Sequence, residues 1–212
     1  MLNNHVLTFG PFQENTYILS NPQKQCWIID PGMYTSAETE QLISYITTHQ
    51  LKPQAIINTH AHIDHILGVQ ALKNKYNIPF GIHIKDQPLL DYASASAAMF
   101  GLTFPTTPKP DFYLKEGQPY PIGDEELEIR FTPGHSPGSI VFYYAAGAIL
   151  IGGDVLFAGS IGRTDLPGGH FDTLINSIRT QLFTLPPNTT VYPGHGPSTT
   201  IIEEMRTNPF LQ

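Results

Sequence analysis

Four times along this chain a short apolar run stops at a tight turn that carries histidine or aspartate. "QAIIN" leads into "THAHIDHILG", which places His60, His62, Asp64 and His65 within six positions. "LEIRFT" leads into "PGHSPGS" with His135, "AILIGG" ends at Asp154, and "TVYPG" ends at His195. Runs this short, bounded by Gly, Pro, Asn and Asp, read as strands and not as helices. Strand ends closed by tight turns are where a rigid scaffold displays functional groups. Residue order alone does not require the four loops to converge; their shared residue types are what connects them.

The rest of the chain fits an alternating α/β plan. "HVLTF", "NTYILS" and "CWIID" read as strands, and 37–49 as a helix with Leu42, Ile43 and Ile46 on one face. Ile66, Val69, Leu72 and Tyr76 recur at helical spacing up to Asn77, with Pro79 just beyond. "FGIHI" (80–84) reads as a strand, 86–98 as a helix, and the Pro-rich 98–114 as a surface loop ending in the strand "FYL". Strands joined by turns fill 111–152, with helices at 172–183 and 199–207 on either side of "TVYPG". The 18 Gly and 19 Pro demand many tight turns. We expect one domain over 1–212, with two sheets between helical layers; spacing alone also allows a single wound sheet.

Composition removes several function classes. The net charge is −7 and no basic run occurs, which argues against a nucleic-acid partner. Cys26 is the only cysteine, so no intrachain disulfide forms, in keeping with a reducing compartment. The opening "MLNNHVLTFGPFQENTY" lacks the pattern of a secretory signal, and no apolar run approaches the ~20 residues of a membrane span. The expectation is a soluble cytoplasmic protein without a membrane partner.

His5, His49, His83 and His170 stand alone and read as ordinary core or surface residues; no role is assigned to His170. The cluster at 60–65 differs, because buried imidazoles and carboxylates are costly unless something satisfies them together. Five His and two Asp in the four loops exceed the needs of one tetrahedral ion and suit two, about 3.5–4 Å apart and sharing a carboxylate and a hydroxide. His60 and His62, two apart in an extended turn, can face one ion, while Asp64 and His65 open the next helix and can face another. Donors that are all N and O suit Zn, Fe or Mn.

His-x-His-x-Asp-His followed by a lone His, Asp and His in Gly-rich turns resembles the metallo-β-lactamase superfamily. The resemblance runs from "NTYIL" and "DPG" to "YPGHGPSTT". "GRTDLPGG" and "EEMRTNPF" are similar to the short bacterial glyoxalase II-like hydrolases. It implies an αββα sandwich with two metals at one edge. In that family His60, His62 and His135 would hold one ion, Asp64, His65 and His195 the second, and Asp154 would bridge them. Asp64 and Asp154 would be the catalytic carboxylates, and Asp30 in "IIDPG" would support the site from behind.

The implied activity is hydrolysis of a small-molecule thioester, S-2-hydroxyacylglutathione in the first instance, by a metal-bridging hydroxide. Zinc is the favoured cofactor, with iron or manganese as alternatives. The competing implication is a persulfide dioxygenase using one iron on His60, His135 and Asp154. Full-length glyoxalase II enzymes add a helical domain that grips glutathione through basic residues; this sequence is expected to lack it. Arg163 is the remaining candidate for contact with an anionic substrate. The oligomeric state is left open.

Overall fold

The structure is a computed structural model that describes residues 1–104 and 106–212. Strands β1 (Asn3–Phe9), β2 (Glu14–Ser20), β3 (Gln25–Ile29), β4 (Lys52–Ile57), β5 (Phe80–His83) and β6 (Phe112–Leu114) lie side by side in that order. A second sheet holds β7 (Tyr120–Ile122), β8 (Glu125–Phe131), β9 (Ile140–Tyr144), β10 (Ile149–Gly153), β13 (Thr190–Pro193) and β14 (Thr199–Thr200), in the order β14-β13-β10-β9-β8-β7. A small hairpin of β11 (Leu156–Phe157) and β12 (Ser160–Ile161) stands apart. Both large sheets mix parallel and antiparallel pairs.

The inner strands are buried on both faces; all seven residues of β2 are buried. Successive side chains point to opposite faces, so such strands read as continuous apolar runs. Leu19, Trp27, Ile29 and Ile57 meet Leu127, Ile129, Phe142 and Ile151 between the sheets. Their neighbours Ile18, Ile28, Ile56 and Ile82 pack outward against helices α1 (Ser36–Thr48), α3 (Val69–Tyr76), α4 (Gln87–Asp91) and α5 (Ala93–Met99) through Leu42, Leu72, Leu90 and Ala93. Val141, Leu150 and Val191 pack outward against α6 (Phe171–Ser177) and α7 (Ile201–Thr207). The layer order is therefore α-β-β-α, and the single wound sheet is excluded. Among the described residues no helix is long and apolar enough to cross a membrane.

Three helical expectations change in detail. The helix after the histidine motif is two pieces, α2 (Ile63–Ile66) and α3, because the Gly68 N–H donates to Pro31 O (2.8 Å) instead of continuing the ladder. The span 86–98 opens with a 3₁₀ turn at Ile84–Asp86 and breaks at Tyr92, whose ψ of −1° lies off the helical value. The span 172–183 becomes α6 followed by a wider π turn at Ile178–Leu182, where Arg130 takes the Gln181 carbonyl (2.6 Å). In the Pro-rich segment the described residues between α5 and β6 are irregular, and Pro105 lies outside the described residues.

Helix α1 begins with a capping box. The Glu38 N–H donates to Thr35 Oγ1 (3.2 Å) and the Thr35 N–H donates to Glu38 Oε2 (2.8 Å). Glu38 Oε1 also accepts the Gly10 N–H (2.9 Å), which ties the β1–β2 turn to the helix. Thr35→Ala is expected to cost about 1 kcal/mol of stability. A urea melt showing no shift in midpoint would mean that water satisfies this helix end equally well.

Strands β8 and β10 are each antiparallel to β9, and β13 is parallel to β10. All three therefore point the same way and release the His135, Asp154 and His195 loops at one edge. The first motif, which follows β4, joins them through the Ile140 N–H, which donates to Thr59 O (2.9 Å).

Candidate metal centre

His60, His62 and His135 aim ring nitrogens at one point. His135 Nε2 lies 3.2 Å from His60 Nε2 and 2.8 Å from His62 Nδ1. The surrounding hydrogen bonds assign the protons. His135 Nδ1 donates to Arg163 O (2.8 Å), so its Nε2 is a lone pair. Thr59 Oγ1 donates to Asp30 Oδ2 (2.6 Å), so it accepts from His60 Nδ1 (3.1 Å), and His60 Nε2 is a lone pair too. Lone pairs this close repel unless a cation lies against them. His62 Nε2 is buried with no hydrogen-bond partner. Burial is the leading cause that lowers all three histidines, His60 well below its ordinary value and His62 to about 3. They are neutral at pH 7, the form that binds metals.

Asp64, His65 and His195 make a second group, on α2 and the loop after β13. His195 Nε2 and His65 Nε2 stand 3.2 and 3.8 Å from Asp64 Oδ2. His195 Nδ1 donates to Phe12 O (3.1 Å), which leaves Nε2 to face inward. Within each group the donor atoms lie no more than 4.8 Å apart. Asp154 sits between the groups: Oδ2 is 3.6 Å from both His135 Nε2 and His195 Nε2, and Oδ1 is 3.5 Å from His65 Nε2. Gly194 has no room for a side chain, because a Cβ would run into Asp154 Oδ1 and the His65 ring.

The charges are unbalanced. Burial pushes the Asp154 carboxyl up, but His65, His135 and His195 outweigh it and hold it well below the usual carboxylate range. Asp64 is also lowered, burial again being overcome by His65 and His195. Burial opposes a proton on His65, yet Asp64 and Asp154 raise it well above its ordinary value. Among the described residues no Lys or Arg pairs with Asp30, Asp64 or Asp154; their ion-pair partners are histidines. Asp154 Oδ1 and His65 Nε2 lack hydrogen-bond partners. Orphaned inward donors around a surplus of buried negative charge fit divalent cations, and the all-N/O donor set suits Zn, Fe or Mn.

The supporting residues include several that sequence reasoning missed. Asp30 adopts a left-handed φ of +51°; its Oδ1 accepts the Thr59 N–H (2.7 Å) and its Oδ2 lies 3.1 Å from His65 Nδ1. With both oxygens engaged in this way it stands behind the centre. Asp86, fully buried, accepts the Ala61 N–H (2.9 Å), the Ser136 hydroxyl (2.9 Å) and the Gly138 N–H (2.5 Å), and so ties the first motif to the His135 loop. Asn15 Nδ2 donates to Pro193 O and Gly196 O on either side of His195. Glu14, 1% exposed, is raised well above its ordinary value by burial and stands 3.8 Å from His65 Nδ1. Glu14 and Asn15 had one local signal, "ENTY", polar residues inside a strand-like run, and Asp86 had none. His170 has a structural explanation, as its ring nitrogen accepts the Thr173 N–H (3.3 Å) and caps α6. Arg163 lies on the wall of a cavity of about 520 Å³ beside the donors, with its guanidinium bonded through two nitrogens to Asp165 (2.8 and 2.7 Å).

Comparison with known proteins agrees with this arrangement. The metallo-beta-lactamase superfamily profile matches residues 9–195. The probable metallo-hydrolase YqgX of Bacillus subtilis is 43% identical over 95% of this chain and 94% of the relative. The hydroxyacylglutathione hydrolase GloC of Haemophilus influenzae is 37% identical over 99% of this chain and 98% of that protein. The crystal structure of TTHA1623 in a di-iron-bound form superposes with a TM-score of 0.89 at 42% identity, covering 98% of this chain and 100% of that one. By its sequence, its layered fold and its converging His/Asp donors, this chain belongs to the metallo-beta-lactamase superfamily.

Proposed function

We propose that this protein is a dinuclear metal-dependent hydrolase of thioesters, with S-2-hydroxyacylglutathiones as the substrate class. The observation that carries the reading is the position of Asp154, within 3.6 Å of nitrogens from both histidine groups. One carboxylate facing two donor sets suits two ions that share it. His60, His62 and His135 would hold one ion, and Asp64, His65 and His195 the other. When bound, two divalent ions supply Lewis acidity that ionises water near neutral pH and polarises a carbonyl.

The chain's own residues do the rest. Asp30 and Thr59 lock the tautomer of His60, and Phe12 O and Arg163 O lock those of His195 and His135. Asp64 and Asp154 both line the cavity, so their oxygens decide where water sits and which face of a carbonyl approaches it. The name of the GloC relative supports the thioester class, and the di-iron-bound neighbour supports iron as a candidate alongside zinc. The mononuclear-iron dioxygenase alternative would leave the Asp64, His65 and His195 group idle.

Elemental analysis of protein purified without added metal, with an assay on S-D-lactoylglutathione, tests the reading. About two ions per chain together with hydrolysis supports it. One iron per chain, with oxygen uptake on glutathione persulfide, moves the assignment to the dioxygenase. Because Asp165 already engages the Arg163 guanidinium, Arg163→Ala is expected to raise KM for anionic thioesters only about two- to threefold and to leave neutral ones unchanged. Equal changes for both would remove Arg163 from charge recognition.

A further inference from the structure

We infer that this site selects its substrate through the acyl group, favouring apolar chains several carbons longer than lactoyl, and leaves the thiol portion largely unread. The inference rests on the hydrolase reading above and deepens it.

The cavity of about 520 Å³ is lined by the donors His135, Asp154 and His195 and by an apolar wall that includes Phe12, Tyr92, Met99, Phe100, Phe157 and Leu166. The short helices α4 and α5 explain this wall. Leu90, Ala93 and Ala97 turn into the core, while Tyr92, Met99 and Phe100 are 53%, 76% and 46% exposed. A surface helix ordinarily buries one apolar stripe and presents polar residues on the other side. Here the side that lines the cavity carries Leu89, Tyr92, Met99 and Phe100 with one polar residue, Ser96, among them, and apolar surface of this kind marks a site that something covers.

Three observations identify the occupant as part of the substrate. The apolar wall begins at the donors themselves, since the Phe157 ring meets His195 edge-on at 6.5 Å. It continues through Phe12 of the β1–β2 turn, which meets Phe100 edge-on at 5.3 Å. Both the acyl chain and the thiol of a thioester are bonded to its carbonyl, so either could reach this wall from the donors, and charge decides which of the two fits. The wall also offers little to a charged thiol. Among the described residues, Arg163 is its only Lys or Arg, and Asp165 already binds it. The volume falls in the range of sites for whole small molecules, far more than a lactoyl group fills.

The test is titration calorimetry of metal-loaded protein with straight-chain alkyl hydroxamates from acetyl to octanoyl. The hydroxamate anchors at the metals and the chain probes the wall. Kd is expected to fall about fourfold per methylene up to about hexanoyl, and the Met99→Ala/Phe100→Ala double variant should flatten that slope. A flat series with the unaltered protein overturns the inference. So does a homodimer in sedimentation that Met99→Glu dissociates, if the series is also flat, because the wall is then an interface between copies.

The same acyl series as glutathione and N-acetylcysteamine thioesters separates the two readings. Turnover rising with chain length, and changing less than about fivefold between thiols, supports both. Chain-dependent binding without turnover of any thioester keeps the acyl pocket and removes the hydrolase reading. Turnover with flat binding keeps the hydrolase and removes the pocket.

Discussion

Asp154→Ala is expected to lower thioester turnover at least about 10³-fold, a loss on the scale of the several kcal/mol that metal-centred charge stabilisation supplies. The reason is geometric. Asp154 is the one side chain whose two oxygens reach His65, His135 and His195, members of both donor groups. Without it, each group keeps three donors but the feature that couples them disappears. Metal content should fall from about two ions per chain to one or fewer, while the fold survives, because the Asp154 side chain makes no hydrogen bond that a strand or helix depends on. Circular dichroism, elemental analysis and an assay on the same sample keep these effects apart. Near-normal turnover with two ions bound would take Asp154 out of the centre.

Much of this arrangement is legible in the residues, for physical reasons that also set the limits. Strands such as β2, β4 and β10 announce themselves as apolar runs closed by turn residues. The seven donor side chains fall in the loops after four of them. What the runs conceal is direction. A strand buried on both faces has no polar side, so nothing in "NTYILS" says that Leu19 faces Phe142 across the gap while Ile18 faces a helix. The αββα sandwich that the resemblance implied is borne out, but from spacing alone the choice between two sheets and a single wound sheet needed the structure. The convergence of the loops did too, because it depends on the shared direction of β8, β10 and β13 and on the bond from Ile140 to Thr59, made between residues far apart in the chain.

Short elements were hidden for another reason. The hairpin of β11 and β12 has two residues per strand, too few to show any period. The π turn after α6 forms where Arg130, distant in sequence, takes the Gln181 carbonyl, and the helical spacing continues undisturbed both there and through the break at Tyr92. Among the site residues, those near the donor motifs could be read, whereas Glu14 and Asp86 could not. Asp86 in "IKDQP" looks like a polar residue opening a helix at the surface. Its partners come from positions 61, 136 and 138, and no local pattern encodes them.

Asp86→Ala is accordingly the expected loss that sequence reasoning would least foresee. The side chain is fully buried, and its two oxygens satisfy the N–H groups of Ala61 and Gly138 and the Ser136 hydroxyl. Ser136 Oγ keeps Ser139 Oγ as a partner, so removing Asp86 orphans the two buried N–H groups at about 1–3 kcal/mol each, for a total of about 2–6 kcal/mol, a large part of a stability that is ordinarily about 5–15 kcal/mol. The loops it joins carry His60, His62 and His135, so affinity at that group should fall about 10- to 100-fold. Among the described residues Asp86 makes no hydrogen bond or ion pair with Asp64, His65 or His195, so that group should keep its affinity.

Asp86→Asn adds a test of sign. Burial outweighs the three hydrogen bonds and raises the Asp86 carboxyl from 3.8 to about 6. A folded-state value above the unfolded one means that the protonated acid favours the fold; its contribution is complete below about pH 4 and is lost as pH rises through about 6. Metal-free wild-type protein should lose stability across that window relative to Asp86→Asn, which carries no titrating group there. Urea melts at several pH values, with metal titrations of both variants, measure all of this. If Asp86→Ala matches wild type in stability and binds two ions with undiminished affinity, the two loops are held together by their backbones alone.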